Sequence, residues 1–322
     1  MKQFFSAVID PFLMALLATV GLAALFPAQG PVAHWVDIVA DVAIALLFFF
    51  HGAKLSREAI LAGMGHWRLH LSVLACTFVL FPLLGLATGL LSPGLISPVI
   101  AAGILYLCLL PSTVQSSIAF VSISGGNVPA AICSASASNL LGIFVTPLLV
   151  GLLMQTDGQA GVSLGALEAI ILQLLVPFVA GHLARPLIGR FVQKHKQTIS
   201  YTDRGSILLV VYSAFSAAVV EGLWHKVDLR DLIAIIVVSA VLLGIVMYVT
   251  MLAGKLLGFS REDRIVLVFC GSKKSLVSGV PMASVLFPVA QVGLIILPIM
   301  IFHQIQLLVC TWLAARYRQR TQ

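Results

Sequence analysis

Blocks of about 20 apolar residues, separated by short polar stretches, constrain the fold of this sequence more than any other feature. A helix of roughly 20 apolar residues crosses a bilayer core about 30 Å thick, whereas a soluble core needs no blocks of that length. The pattern therefore predicts an all-α polytopic membrane protein. We place ten transmembrane helices at 11–27, 37–51, 69–91, 96–123, 128–154, 164–184, 205–223, 231–257, 264–288 and 289–316.

The composition excludes a soluble globular domain. Hydrophobic residues make up 60% and charged residues 10% of the 322 positions, against roughly 45–50% and about 25% in soluble domains. The net charge of +7 does not indicate nucleic-acid binding, because the basic residues lie between apolar blocks, where cytoplasmic loops contact anionic lipid. All five cysteines lie inside apolar segments, which argues against a disulfide framework or a metal site.

The distribution of lysine and arginine predicts the orientation of the chain. Fifteen of the 19 lie in one set of connections, Lys226 and Arg230 lie in the opposite set, and Lys273 and Lys274 lie within a predicted helix. Basic connections face the cytoplasm, so both termini are predicted to be cytoplasmic, as an even number of crossings requires. We expect a multi-pass protein of the cell inner (cytoplasmic) membrane, with the lipid bilayer as its surroundings.

The ten predicted helices divide into two repeats of five, residues 1–160 and 161–322, which together form one transmembrane domain. Five is an odd number, so the second repeat is inverted relative to the first, and inverted repeats are typical of secondary transporters. The longest and most basic connection is predicted from Arg185 to Arg204, near the middle of the chain.

Two predicted helices contain polar interruptions, each in the fourth helix of its repeat. The break in the fourth helix contains Pro111, Ser112, Thr113, Gln115, Ser116 and Ser117. The break in the ninth helix contains Gly271, Ser272, Lys273, Lys274 and Ser275. Backbone groups freed inside a bilayer have no water to bind, so such breaks usually line a cavity in the protein. We expect the two breaks to meet near mid-membrane and to bind substrate and ion; for either helix alone, a simple kink is the alternative.

Lys273 and Lys274 are the sharpest single indication of function. Lys273 lies about eight residues into its apolar segment, a depth of roughly 12 Å at 1.5 Å per residue. A charge at that depth costs a few kcal/mol and by default indicates a functional site. Adjacent residues on a helix point about 100° apart, which makes it difficult for both to reach the interface. We expect the lysines to face an anionic substrate, a helix C-terminus, or no charged group.

Two further polar residues join the candidate site. Asn139 follows a run of small and hydroxylated residues in the fifth helix; we expect it to bind substrate or ion, and the neighbouring serines to pack helices together. His303 lies inside the last apolar helix. No pair of histidines has metal-ligand spacing, and no cofactor is expected beyond a sodium ion.

Four motifs carry a resemblance to a known family: Leu-Pro-Ser-Thr-Val-Gln-Ser-Ser (110–117), Gly-Gly-Asn (125–127) with Thr146-Pro147 beyond it, Gly-Ser-Lys-Lys-Ser-Leu (271–276) and Phe-His-Gln (302–304). Over nearly its full length the chain resembles the bile acid:sodium symporter family, in the divergent branch with the seventh human member and bacterial sodium-dependent transporters. The resemblance implies a panel domain of the first, second, sixth and seventh helices. It also implies a core domain in which the broken fourth and ninth helices cross.

The resemblance further implies two sodium ions behind the crossing, and here the chain departs from the family's ligands. Ser116 and Ser117 match polar sodium ligands of the fourth helix, whereas other ligand positions are changed, at Thr77, Ala131, Ala135, Phe269 and Lys273. An ammonium group at Lys273 could replace a sodium ion among helix C-terminal carbonyls, or load and release a proton. We therefore expect sodium dependence to be weak or absent.

These features predict a secondary active transporter that moves a small organic anion with a coupling cation, either sodium, as in the family, or a proton. We do not predict an intramembrane enzyme, because the helices hold no nucleophile–base pair or metal-ligand cluster at a plausible spacing. A non-transporting membrane regulator or sensor is the alternative, since a fold does not by itself determine function.

Overall fold

The computed structural model describes residues 11–54, 64–92, 94–154, 171–222 and 228–319, and these residues form helices without strands. We number the helices in chain order: α1 Pro11–Leu25, α2 Gly30–Lys54, α3 Trp67–Gly89, α4 Pro98–Leu109, α5 Gln115–Ile123, α6 Val128–Leu153, α7 Ile171–Lys194, α8 Lys196–Val220, α9 Leu229–Leu256, α10 Arg261–Gly271, α11 Leu276–Leu286 and α12 Val289–Gln319. Short π-helical turns lie within α3 and at the start of α7.

Among the described residues, eight helical spans are long and apolar enough to cross a membrane, so the chain is a multi-span membrane protein. The α10–α11 pair counts as one of these spans, and Met14–Leu25 and Pro98–Leu109 are shorter apolar helices. The ten predicted crossings thus correspond to eight full-length spans and two shorter helices. The fourth predicted helix falls short because Pro111 divides it into α4 and α5. Several positions used in the predictions lie outside the described residues, namely 164–170, Lys2, Arg57, Lys226 and Arg320.

Two predicted boundaries are wrong, and both errors come from treating charge as a helix end. Helix α2 begins at Gly30 and not at residue 37, and Asp37 inside it accepts a hydrogen bond from Ser213 of α8. The predicted loop from Arg185 to Arg204 is helical, because α7 continues to Lys194 and α8 starts at Lys196. A helix with a polar face can extend beyond the hydrocarbon core, so basic residues do not end it.

The helices pack in a way that encloses the second break. Helices α1, α2, α7 and α8 pack on one another, and α8 also contacts α11 and α12. The α10–α11 span is the most buried of the eight. In its apolar 18-residue stretch, 94% of the residues are buried inside the protein, compared with 17% for α7. Lys273 and Lys274, which lie between α10 and α11, therefore face protein and not lipid.

Candidate functional site

The first break lies around Pro111. Helix α4 ends at Leu109 and α5 begins at Gln115. Leu110 is extended (φ −75°, ψ 156°), consistent with the steric clash by which a proline ring disfavours the helical conformation of the residue before it. Proline also has no N–H to donate, so a helix loses one backbone hydrogen bond at this position. The predicted interruption of the fourth helix is confirmed.

The second break lies between Gly271, the last residue of α10, and Leu276, the first of α11. Ser275 is extended (φ −86°, ψ 109°), and its Oγ accepts a hydrogen bond from the Ser278 N–H at 3.1 Å. This cap satisfies one of the free donors in the first turn of α11. The predicted interruption of the ninth helix is confirmed as well.

The two breaks meet, as predicted, through hydrogen bonds between the chain segments. The Ser275 N–H donates to the Pro111 carbonyl at 2.9 Å. The Ser112 hydroxyl donates to the Cys270 carbonyl at 2.6 Å, and the Ser117 hydroxyl donates to the Phe269 carbonyl at 3.1 Å. The carbonyls freed at the C-terminus of α10 thus find donors in the other break, which is what a buried helix end requires.

Helix α6 supports both breaks from one side. Its Ser138 Oγ accepts from the Ser112 N–H at 3.1 Å, and its Asn139 Oδ1 accepts from the Ser278 hydroxyl at 2.7 Å. Gly142 allows the close approach, because a Cβ atom there would lie 2.6 Å from the Pro111 Cβ. Asn139 therefore contacts the α11 end of the site, and Ser138 contacts the α4 end.

The two lysines are fully buried and take different partners. Lys273 Nζ donates to the Ser116 hydroxyl at 2.5 Å and lies 4.4 Å from the centre of the Phe120 ring. Lys274 Nζ donates to three carbonyl oxygens, those of Leu110 at 2.6 Å, Cys108 at 2.8 Å and Thr77 at 2.9 Å. The sequence interpretation placed a carbonyl cluster around Lys273, and this is wrong: the cluster surrounds Lys274.

A buried glutamine on α12, which the sequence analysis missed, holds the backbone of Lys274. Gln306 Oε1 accepts from the Lys274 N–H at 3.0 Å, and Gln306 Nε2 donates to the Lys274 carbonyl at 3.0 Å. The same Nε2 lies 2.8 Å from Nδ1 of His303. A glutamine inside a long apolar helix was the available signal in the sequence, since buried amides are paired in native proteins.

A cavity of about 340 Å³ opens beside the breaks, near the lower end of the roughly 300–1,000 Å³ found for ligand pockets. Six predicted site residues line it: Thr113, Gln115, Ser116, Asn139, Ser275 and His303. The other predicted residues are buried outside its lining: Pro111, Ser112, Ser117, Gly271, Ser272, Lys273 and Lys274.

The opposite wall of the cavity is charged, and none of its charged residues was among the predicted site residues. Lys54 at the end of α2 forms an ion pair with Asp203 of α8, with Nζ and Oδ2 separated by 2.5 Å. The other carboxylate oxygen of Asp203, Oδ1, is buried and has no hydrogen-bond partner within the described part of the chain. Arg204 also lines this wall, 5.5 Å from the centre of the Phe12 ring. Asp203 and Arg204 were missed because residues 185–204 were predicted to be a loop, and Lys54 was missed because the second helix was predicted to end at residue 51.

The hydroxyls expected to bind sodium are already engaged. Ser116 Oγ accepts from Lys273 and lies 3.1 Å from Thr113 Oγ1, while Ser117 Oγ lies 2.9 Å from the same Thr113 oxygen. A sodium ion bound by Ser116 would stand next to an ammonium group. The residues present therefore fit a resident sodium ion poorly at this position.

Comparisons with known proteins place these features in a family. The sequence profile of the SBF-like CPA transporter family matches residues 10–319. "Putative symporter YfeH" of Escherichia coli is 57% identical over 98% of this chain and 95% of its own length. "Uncharacterized protein PA2026" of Pseudomonas aeruginosa is 56% identical over 97% of this chain and 93% of its own. "Sodium/bile acid cotransporter 7" of Rattus norvegicus is 27% identical over 92% and 89%.

Proposed function

The chain belongs to the SBF-like CPA transporter family, and from that premise we propose that it is a secondary active transporter for a small organic anion. The family is one of membrane transporters, so the protein is a transporter and not an enzyme. The anion binds in the cavity beside the two breaks and moves with a coupling cation. One observation carries this proposal: two helix N-termini and two basic side chains converge on a single cavity.

The helix N-termini favour a negative charge. Thr113 to Ser116, at the start of α5, line the cavity, and so do Ser275 and Ser278 at the start of α11. A helix N-terminus presents free N–H groups and a partial positive charge of about half an elementary charge. In transporters with discontinuous helices, such ends face anionic groups of the substrate.

The basic wall supplies the full charges. Lys54 forms an ion pair with Asp203. In contrast, no carboxylate of the described residues lies within 4.0 Å of the Arg204 guanidinium. A guanidinium binds a carboxylate, sulfonate or phosphate through two parallel hydrogen bonds. Arg204 is therefore the side chain that we expect to bind the anionic group directly.

Much of the remaining lining is apolar and suits the body of an organic anion. It includes Phe12, Val114, Leu140, Phe178 and Ile207. A pocket of this size with a few convergent polar groups is typical of small-molecule sites. The name of the rat relative mentions sodium and bile acid; we propose only an organic anion with an apolar body for this chain.

The test of the proposal is binding followed by uptake. Purified protein is heated with hexanoate, with hexylammonium as a cation of the same shape, and with a panel of sulfonates and organic phosphates. We expect hexanoate or another organic anion, but not hexylammonium, to raise the melting temperature, and the same anion to accumulate in proteoliposomes. Binding without uptake under any ion gradient would favour a regulator, and stabilisation by the cation alone would contradict the proposal.

The coupling cation that the resemblance implies is sodium, and the contacts of Lys273 favour a proton instead. At an effective dielectric constant of about 20, two unit charges 4 Å apart repel each other by roughly 4 kcal/mol. A sodium ion bound at Ser116 beside the Lys273 ammonium would lose about three orders of magnitude in affinity by that repulsion. A lysine that releases its proton removes this penalty, so proton movement at Lys273 is compatible with the site.

We therefore predict that uptake changes little when sodium is exchanged for choline at neutral pH. The Lys273→Gln variant is expected to lose any response to a pH gradient and to become more sensitive to sodium, because the repelling charge is gone. Uptake in proteoliposomes with imposed sodium or pH gradients measures both. If wild type depends steeply on sodium and Lys273→Gln behaves identically, Lys273 has no role in coupling.

We propose that the protein crosses the inner membrane ten times, in two inverted repeats, 1–160 and 161–322. Helices α1, α2, α7 and α8 would form the panel, and the remaining helices the core in which α4–α5 and α10–α11 cross. The bacterial relatives support the inner-membrane location, and the charge distribution supports cytoplasmic termini and therefore an even number of crossings. Reporter fusions after Gln322 and near His195 should both report the cytoplasm, and a periplasmic signal at either position would refute the topology.

A further inference from the structure

The ammonium group of Lys274 has every hydrogen-bond donor satisfied. A lysine ammonium carries three N–H donors, and Lys274 directs one to each of three carbonyls, of Thr77, Cys108 and Leu110. The face of the Phe81 ring covers a fourth side, 4.2 Å from Nζ. An aromatic face within about 6 Å attracts a cation through the quadrupole of the ring. Lys274 is fully buried and is not part of the cavity lining.

Two of the three carbonyls lose their usual helical partner next to a proline, and the third, that of Leu110, lies beyond the last residue of α4. In the π-turn of α3, the Phe81 N–H donates to Cys76, so the Thr77 carbonyl would need residue 82, and Pro82 has no N–H. Helix α4 ends before Pro111, and the Ser112 N–H that would bond to Cys108 donates to Ser138 instead. The resulting shell is built by the backbone and does not require a lysine to form.

This shell has the composition of a site for a free monovalent cation. Carbonyl oxygens at a helix C-terminus carry partial negative charge and bind hard cations. The described shell contains no carboxylate, which divalent cations generally require. We propose that this is a monovalent-cation site that is permanently filled by a tethered ammonium group, and that a free sodium, potassium or small alkylammonium ion can occupy it when the lysine side chain is removed.

The ammonium of Lys274 is covalently attached to the chain, so it cannot leave with a transported substrate, and its backbone is also held in place. Gln306 pairs with both the N–H and the carbonyl of Lys274, which fixes the backbone from which the side chain extends. In the proposed transport cycle, the cation charge at this site would then remain in the protein throughout. That consequence rests on the proposed function; the binding site itself does not, and it is tested without transport.

The experiment measures cation binding in the Lys274→Ala variant purified in choline chloride, a cation too large for the shell. Sodium, potassium or methylammonium chloride is then added. For a cation present at ten times its dissociation constant, we expect the melting temperature to rise by about 3–6 °C. Wild type and the exposed-lysine control Lys194→Ala are expected to respond no more than they do to additional choline.

A volume control separates charge from packing. In Lys274→Met the unbranched side chain fills the shell without a charge, so no cation should stabilise it. Equal responses of Lys274→Ala, Lys274→Met and wild type would overturn the proposal, as would a Lys274→Ala variant that responds to none of the three cations. If Lys274→Ala is recovered folded only when one of the three cations is present throughout purification, the proposal is supported. Failure to recover it with any of them contradicts it.

Discussion

Arg204→Gln is expected to weaken binding of the anion by roughly tenfold to a hundredfold, because a hydrogen bond to a charged group contributes about 1.5–3 kcal/mol. Arg204 lines the cavity without a carboxylate partner among the described side chains, so its charge is available to a ligand. Isothermal titration with the anion that gives the largest thermal shift measures the effect, and uptake should fall in parallel.

Asp203, next to Arg204, provides a test of whether the ligand is negatively charged. Asp203 forms an ion pair with Lys54, and a negative charge in the cavity opposes an anion. Asp203→Asn should therefore bind the anion at least as tightly as wild type, while Arg190→Gln, which removes an exposed arginine from α7, should leave binding unchanged. Equal affinities of Arg204→Gln and wild type would show that the anion does not bind at this wall.

The breaks and their meeting could be predicted because they depend on local chemistry. Pro111 cannot donate to a helix, and backbone groups freed inside a membrane must be satisfied by protein or by a water-filled cavity. When one chain contains two such breaks, each can supply hydrogen-bond partners for the free backbone groups of the other. Ser112 and Ser117 are the donors that do so. Each step requires knowledge of residue types and not of three-dimensional packing.

The roles of the two lysines could not be predicted because they depend on packing beyond the broken helix. Both side chains lie in one non-helical segment, and either could reach carbonyls or hydroxyls. Lys274 takes the carbonyls because the π-turn of α3 and the end of α4 lie on its side, whereas Lys273 faces Ser116 of α5. Nothing in the spacing of the sequence distinguishes these alternatives.

The basic wall of the cavity escaped prediction for a different reason. Lys54 and Asp203 are 149 positions apart, and no periodicity links one to the other. Hydropathy also favours ending a transmembrane helix at charged residues, which removed Asp203 and Arg204 from α8. Asp203 and Arg204 line the wall of the cavity at which we propose that the anion binds.

The packing of α2 against α7 leads to the largest expected loss of stability. The backbones of these helices touch at two glycines: a Cβ atom on Gly52 would overlap the Phe178 carbonyl oxygen and lie 2.9 Å from the His182 nitrogen. A Cβ atom on Gly181 would overlap the Phe49 carbonyl oxygen and lie 3.0 Å from the Phe49 Cα. Small residues allow membrane helices to approach this closely. Because the clashing atoms belong to the backbone, a change of side-chain rotamer cannot relieve the overlap.

Gly181→Ala is therefore expected to destabilise the protein by about 3 kcal/mol, the upper end of typical overpacking costs. That corresponds to a melting temperature lower by roughly 6–12 °C. Gly244→Ala in α9 is the matched control, because a Cβ atom there meets nothing within 4 Å. Alanine is favoured over glycine in a helix by about 0.5–1 kcal/mol, so this control should be unchanged or slightly stabilised. The measurement is the melting temperature of the two variants in the same detergent. If Gly181→Ala and Gly244→Ala have the same melting temperature, α2 and α7 are not in backbone contact. Lys54 of α2 and Phe178 of α7 would then not line the same cavity in the way described above.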